Sequence, residues 1–241
     1  MKLIINADDF GLSKSISDGI ILGIKEGYIT STSIMANMEY TEYAVKKAIE
    51  YGIDCIGLHI NLTVGKPVTK NINLVDNKGV FYYNREQIVN QKLTYQDAYN
   101  EIMAQIGVIS NYSNGKLKID HLDTHHHLMD NPNIRQAIIN ISKKFNLPIR
   151  KEDNVQNIKC PDVLYKNFTI SNVNIDNIRS MIEKYKEMDI VVELMTHPGF
   201  IDEYTKTVTS YLNRESELKI LKESKKIGLF EEVELIKFQQ F

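Results

Sequence analysis

Short apolar runs alternate with helically patterned stretches along almost all of this 241-residue chain, and that alternation constrains its fold more than any other feature. Residues 2–6, 32–36, 55–62, 148–150, 190–195 and 233–238 read as strands, as does the stretch leading into 121–127. Between them, 15–26, 42–51, 94–112, 132–145, 175–188 and 213–226 carry helical spacing. In the first helix Ile16, Ile20, Ile21 and Ile24 share one side, and Gly27 follows as a C-cap glycine. Strand and helix in turn imply a parallel α/β architecture. The length suits one such domain, 1–241, of α/β-barrel size. Two polar, irregular stretches, 64–90 and 151–172, break the rhythm and read as loop insertions within that domain. The helix at 213–226 reads as a solvated face laced with salt bridges.

Composition excludes several classes. A net charge of −2 with no basic block gives no case for nucleic acid or an anionic membrane as partner. No apolar run reaches the ~20 residues that span a bilayer, and the N-terminal apolar stretch is too short for a signal peptide. Cys55 and Cys160 form no CxxC pair and read as reduced thiols in a cytoplasmic protein.

Acids and imidazoles fall just after the apolar strands: Asp8-Asp9, His59, the run 121–127 and His197. In parallel α/β folds the C-terminal strand ends gather at one rim, so four scattered segments meet there. Of the six histidines, four lie within His121-Leu122-Asp123-Thr124-His125-His126-His127. If the strand runs on, His121, Asp123, His125 and His127 share a face, a set costly to bury unpaired and suited to a divalent metal. A site needs about two ligands from this run. His125 is the choice. His121, Asp123 and His127 are left to orient the ligands or to touch substrate.

Each signal has a plainer reading. Asp8-Asp9 could cap the next helix, but a turn permitted by Gly11 would bring both carboxylates to one side, one for metal and one for water. His59 alone is more often a hydrogen-bonded structural residue. His197, in Met195-Thr196-His197-Pro198-Gly199, could be a turn residue or a general acid. Glu193, on a buried strand, needs a partner, and Arg150 is a candidate. Phe81-Tyr82-Tyr83 could stack on a sugar ring or simply pack a loop.

Taken together, Asn6-Ala7-Asp8-Asp9-Phe10-Gly11-Leu12-Ser13, Gly57-Leu58-His59, the run 121–127 and Thr196-His197-Pro198-Gly199 resemble the YdjC-like carbohydrate deacetylases, which include chitooligosaccharide deacetylase. Tyr211 and Arg214-Glu215 fit the same pattern. The resemblance implies a distorted (β/α) barrel related to the polysaccharide deacetylases. It implies Mg2+ or Zn2+ held by Asp9, His59 and His125, with Asp8 as catalytic base and His197 as acid, and it suggests a homodimer. Arg150 is a further candidate at the substrate. The chain has Met129 where the family often has another histidine, a change at the rim that bears on sugar preference. The implied reaction removes acetyl groups from N-acetylated carbohydrates such as diacetylchitobiose. The rival reading is a metal-dependent phosphoesterase on a similar barrel, which needs cations beyond Arg150. A metal- or sugar-binding protein without turnover is the third.

Overall fold

The computed structural model describes residues 1–81, 93–152, 155 and 157–241. Strands β1 (Lys2–Phe10), β2 (Ser31–Ile34), β3 (Cys55–Ile60), β4 (Lys118–Thr124), β5 (Val163–Tyr165), β6 (Val191–Thr196) and β7 (Glu234–Leu235) form one parallel sheet. Its order is β4-β3-β2-β1-β6-β5, and β7 pairs with the start of β1. The segment 148–150 continues the curl: the Leu122 N–H donates to the Pro148 carbonyl, and the Arg150 N–H donates back to Leu122. The Ile149 N–H then donates to Lys159, on the approach to β5. The result is a barrel distorted by one irregular stave.

Helices α1 (Lys14–Glu26), α2 (Thr41–Glu50), α3 (Tyr95–Ser113), α4 (Pro132–Phe145), α5 (Ile175–Tyr185), α6 (Thr205–Val208) and α7 (Arg214–Lys226) accompany the strands. Their ends follow from local chemistry. Ser13 caps α1 by accepting from the Ile16 N–H, and Gly27 ends it at φ 73°. Thr94 and Asp97 form a reciprocal capping box on α3. No described helix is long and apolar enough to cross a membrane.

β1 shows how the two sides of the barrel differ. Leu3, Ile5 and Ala7 join the main core under the helices. Ile4, Asn6 and Asp8 alternate with them on the other face. Ile4 packs with Ile236 and Phe238, while Asn6 donates to Asp8 Oδ1 at 2.8 Å. The inside of the barrel is therefore apolar at the closed end and polar above. There the His121 ring stacks on Phe238, centroids 3.7 Å apart and planes 13° apart.

Gly57 makes this packing fit. A Cβ there would lie 2.2 Å from the His121 ring, and β3 shifts register against β4 at this point. That ring is pinned by Phe238 and by a 2.6 Å hydrogen bond to Asp120. Gly57→Ala is therefore expected to destabilise by about 1–3 kcal/mol, seen as a Tm lowered by roughly 2–12 °C. An unchanged melting temperature would show that the ring can move aside.

The structure differs from the sequence reading in places. The strand at 233–238 is only β7 followed by a 3-10 turn, Phe238–Gln240. The loop expected at 151–172 contains β5, and 148–150 makes a single bridge to β4 in place of a full strand. In the stretch 64–90, Phe81 is buried and bridges Val75, while Tyr82 and Tyr83 lie outside the described residues.

Candidate metal and catalytic site

Asp8 and Asp9 come to the same cavity because the backbone turns between their side chains. Asp9 has φ 69°, and Gly11 follows at 88°. The Leu12 N–H donates to the Asp9 carbonyl at 3.0 Å, closing the turn. A non-glycine residue held there costs roughly 1–3 kcal/mol.

Asp9 Oδ1 lies 3.3 Å from His59 Nε2 and 3.0 Å from His125 Nδ1. The two nitrogens are 3.2 Å apart. Donors bonded at about 2.0–2.1 Å to one cation stand about 3.0–3.4 Å from each other, so this triangle has the edges of a coordination polyhedron. Asp9 Oδ1 is buried and carries no hydrogen bond. Its other oxygen accepts from Arg214 at 2.6 Å. Burial pushes the Asp9 carboxyl up, but Arg214 and His125 hold it well below the usual carboxylate range. His59 is oriented from behind by Asp123 Oδ1, 2.9 Å from Nδ1. Burial pulls His59 down, yet Asp123, Asp9 and Asp8 together push it up to about 10.

Below this triangle one guanidinium gathers three acids. Arg150 donates to both oxygens of Asp8, at 2.6 and 2.7 Å, and through Nε to Glu193 at 2.8 Å. Asp123 Oδ2 lies 3.0 Å from the same group. Burial raises all three carboxyls. Arg150 more than offsets this at Asp8 and Asp123, which end lowered, while Glu193 ends raised. A second cluster of metal-type donors, Asp8, His59 and Asp123, thus already has its cation in Arg150. Asp8, Asp9 and Asp123 face two guanidiniums, Arg150 and Arg214, and the His59 ring between Asp9 and Asp123. The donor set of Asp9, His59 and His125 suits a divalent ion.

His197 closes the site from β6. Its Nε2 is 3.8 Å from Asp8 Oδ2, and its Nδ1 is 4.0 Å from Glu217 Oε1. The loop behind it is fixed by close contact: a Cβ on Gly19 of α1 would lie 2.7 Å from Gly199. Burial pulls His197 down to about 4, although 23% of the side chain still meets solvent. Glu217 accepts from the His197 backbone N–H at 2.5 Å and from the Tyr211 hydroxyl. Burial pushes it up to about 8. Asp8, Asp9, His59, His125, His126, His127, His197, Tyr211 and Arg214 all line one cavity of about 330 Å³.

Not every residue of the 121–127 run arrives there. β4 ends at Thr124, and His126 and His127 turn with φ of 64° and 52°, so the shared face stops after Asp123. His121 is fully buried at the closed end, beneath Asp123 and away from the cavity. His127 sits at the cavity edge, its Nδ1 3.5 Å from Glu152. Arg150 is buried beneath Asp8 and is absent from the cavity lining. Helix α7, expected to be a solvated face, instead buries Arg214 and Glu217 with Leu218 and Leu221. That i, i+3, i+4, i+7 spacing is the apolar stripe itself, and its two charged members were the available signal.

The profile of the family described as YdjC-like protein matches residues 2–227. A carbohydrate deacetylase from Clostridium beijerinckii is 32% identical over 254 aligned positions, covering 99% of each chain. One from Listeria monocytogenes serotype 4b is 34% identical over 250, again covering 99% of each. A solved structure of a candidate cellobiose-phosphate cleavage protein from Enterococcus faecalis V583 superposes with a TM-score of 0.88 at 27% identity, covering 99% of this chain and 98% of that one. A family 4 acetyl xylan esterase from Clostridium thermocellum, solved with cobalt, covers 100% of this chain and 89% of its own. Its TM-score of 0.54 at 10% identity shows a shared fold alone. The match over nearly the whole length places the chain in the YdjC-like family.

Proposed function

We propose that the protein is a metal-dependent carbohydrate deacetylase, hydrolysing the N-acetyl group of sugars such as diacetylchitobiose. The observation that carries this reading is the triangle of Asp9 Oδ1, His59 Nε2 and His125 Nδ1 beside Asp8 and His197 in one cavity. The relatives named carbohydrate deacetylase point the same way. The triangle would hold Mg2+ or Zn2+; Asp123 orients His59 and Arg214 orients Asp9 from the outer side. A divalent ion there supplies Lewis acidity, polarising the acetyl carbonyl and making water easier to deprotonate.

The chain's own residues do the proton work. Arg150 keeps Asp8 ionised, so Asp8 takes the proton from the attacking water. His197 faces it at 3.8 Å and gives a proton to the nitrogen as the amide C–N bond breaks. Being neutral at rest, His197 must first receive that proton, and Glu217, protonated near neutrality, lies beside its Nδ1. Acetate and the free amine leave. Arg150 and Arg214 are both bonded to carboxylates, which leaves Lys166 on the cavity lining as the cation a phosphoester would meet.

The two cysteines are unpaired, which fits a cytoplasmic enzyme. The homodimer suggested by resemblance is a matter for sedimentation. The deciding assay is acetate release from N,N′-diacetylchitobiose. Release should stop with a chelator and return with Mg2+ or Zn2+. Chelator-insensitive release would overturn the metal, and phosphate release from an aryl phosphate with no acetate release would overturn the reaction.

A further inference from the structure

A second hollow opens on the same rim, between the loops after β2 and β3 and helix α6. Its volume is about 800 Å³, more than twice the 330 Å³ around Asp8. Met38, Val80 and the Tyr204 ring give it apolar surface, and Glu39, Lys66 and Thr207 give it exposed polar groups. Its floor is preformed. Asn37 donates to the Val64 and Lys66 carbonyls, both at 2.9 Å, and accepts from Asn61 at 2.8 Å. Asn61 in turn donates to Val64 at 2.7 Å. Tyr204 is braced edge-on against Tyr40, with centroids 5.0 Å apart.

The two hollows share a wall. Val208 lines the larger one, and the next residue, Thr209, lines the cavity around Asp8. The catalytic cavity is at the small end of ligand-pocket volumes, and the larger one lies well within the range of about 300–1,000 Å³. Mixed apolar and polar lining suits a sugar ring, which has C–H faces for an aromatic or thioether surface and hydroxyls for carboxylate, ammonium and hydroxyl partners.

We propose that this hollow is an extension subsite. It would hold further sugar rings of an N-acetylated oligosaccharide while the ring to be deacetylated lies over Asp8 and Asp9. The inference rests on the deacetylase reading above and makes the enzyme prefer chains longer than a disaccharide.

The test is KM for chitooligosaccharides of two to five units. In the wild type, KM should fall about 10-fold from the dimer to the tetramer, the size of one good stacking contact. Tyr204→Ala should raise the tetramer KM towards the dimer value. Glu39→Gln, at an exposed position that leaves the fold intact, should raise it about 3-fold, about half of one charge-assisted contact. No acetate from any length would sink the deacetylase reading itself. Turnover of the dimer with KM flat across lengths would overturn the subsite and leave that reading standing. A length dependence untouched by both variants would place the extra rings elsewhere.

Discussion

Asp8→Asn is expected to keep its cation and lose turnover by a factor of about 100 or more, the usual contribution of a positioned base. Asp8 is not a member of the Asp9, His59 and His125 triangle, so metal content should stay near one ion per chain. What changes is the acceptor. The amide cannot take a proton from water, and one of its two ends now presents N–H groups to Arg150. That guanidinium still keeps Glu193 at 2.7 Å and Asp123 at 3.0 Å, so its charge remains compensated. Some stability is lost with the bidentate pair, and a melting curve recorded beside the kinetics separates this from the chemical defect. Near wild-type turnover in the folded variant would show that Asp8 is not the base.

His125→Ala should behave differently, losing cation and turnover together. The ring supplies one corner of the triangle from a loop position with 12% of the side chain exposed, so truncation leaves no large cavity in the core. With one of three protein ligands gone, affinity should fall by at least about 100-fold, above the 10–100-fold typical of residues behind the ligands. Metal analysis after dialysis, with acetate release at saturating Zn2+, checks both halves. A His125→Ala protein that retains a full complement of metal would move the site to another part of the run. The contrast between the two variants is the sharpest separation of base from ligand that the geometry permits.

Much of this arrangement is legible in the sequence because parallel strands deliver their ends to one rim. Asp8, Asp9, His59, His125 and His197 each follow an apolar run, and the structure brings all five to one cavity. The pairing of Glu193 with Arg150 is legible too, since a lone acid on a buried strand demands a cation. His121 is not. Position along a strand sets depth as well as face: two residues back is about 6.6 Å further down the barrel, which carries its ring to Phe238. His126 and His127 depend on left-handed backbone turns that no periodicity announces. Glu217, and the place of Arg214 beside Asp9, are hidden by charge, because a charged residue on a helix stripe reads as solvated until its partner is known. Asp9, the partner of Arg214, lies 205 positions away, and His197, whose backbone N–H donates to Glu217, lies 20 away.

That distance has a consequence for the order of assembly. Arg150 and Asp8 are 142 positions apart, and Arg214 and Asp9 are 205 apart. Contacts this remote require long loops to close before they give anything back, so they belong to the slow, late part of folding. The first strand carries the two acids into the barrel long before either guanidinium can meet them. Until the last helix docks, Asp9 lacks the clamp on its outer oxygen and His197 lacks the Glu217 carboxyl group that holds its backbone. Catalytic competence is thus a property of the finished chain topology, and a molecule frayed at α7 would keep most of its helices and strands while no longer being an enzyme.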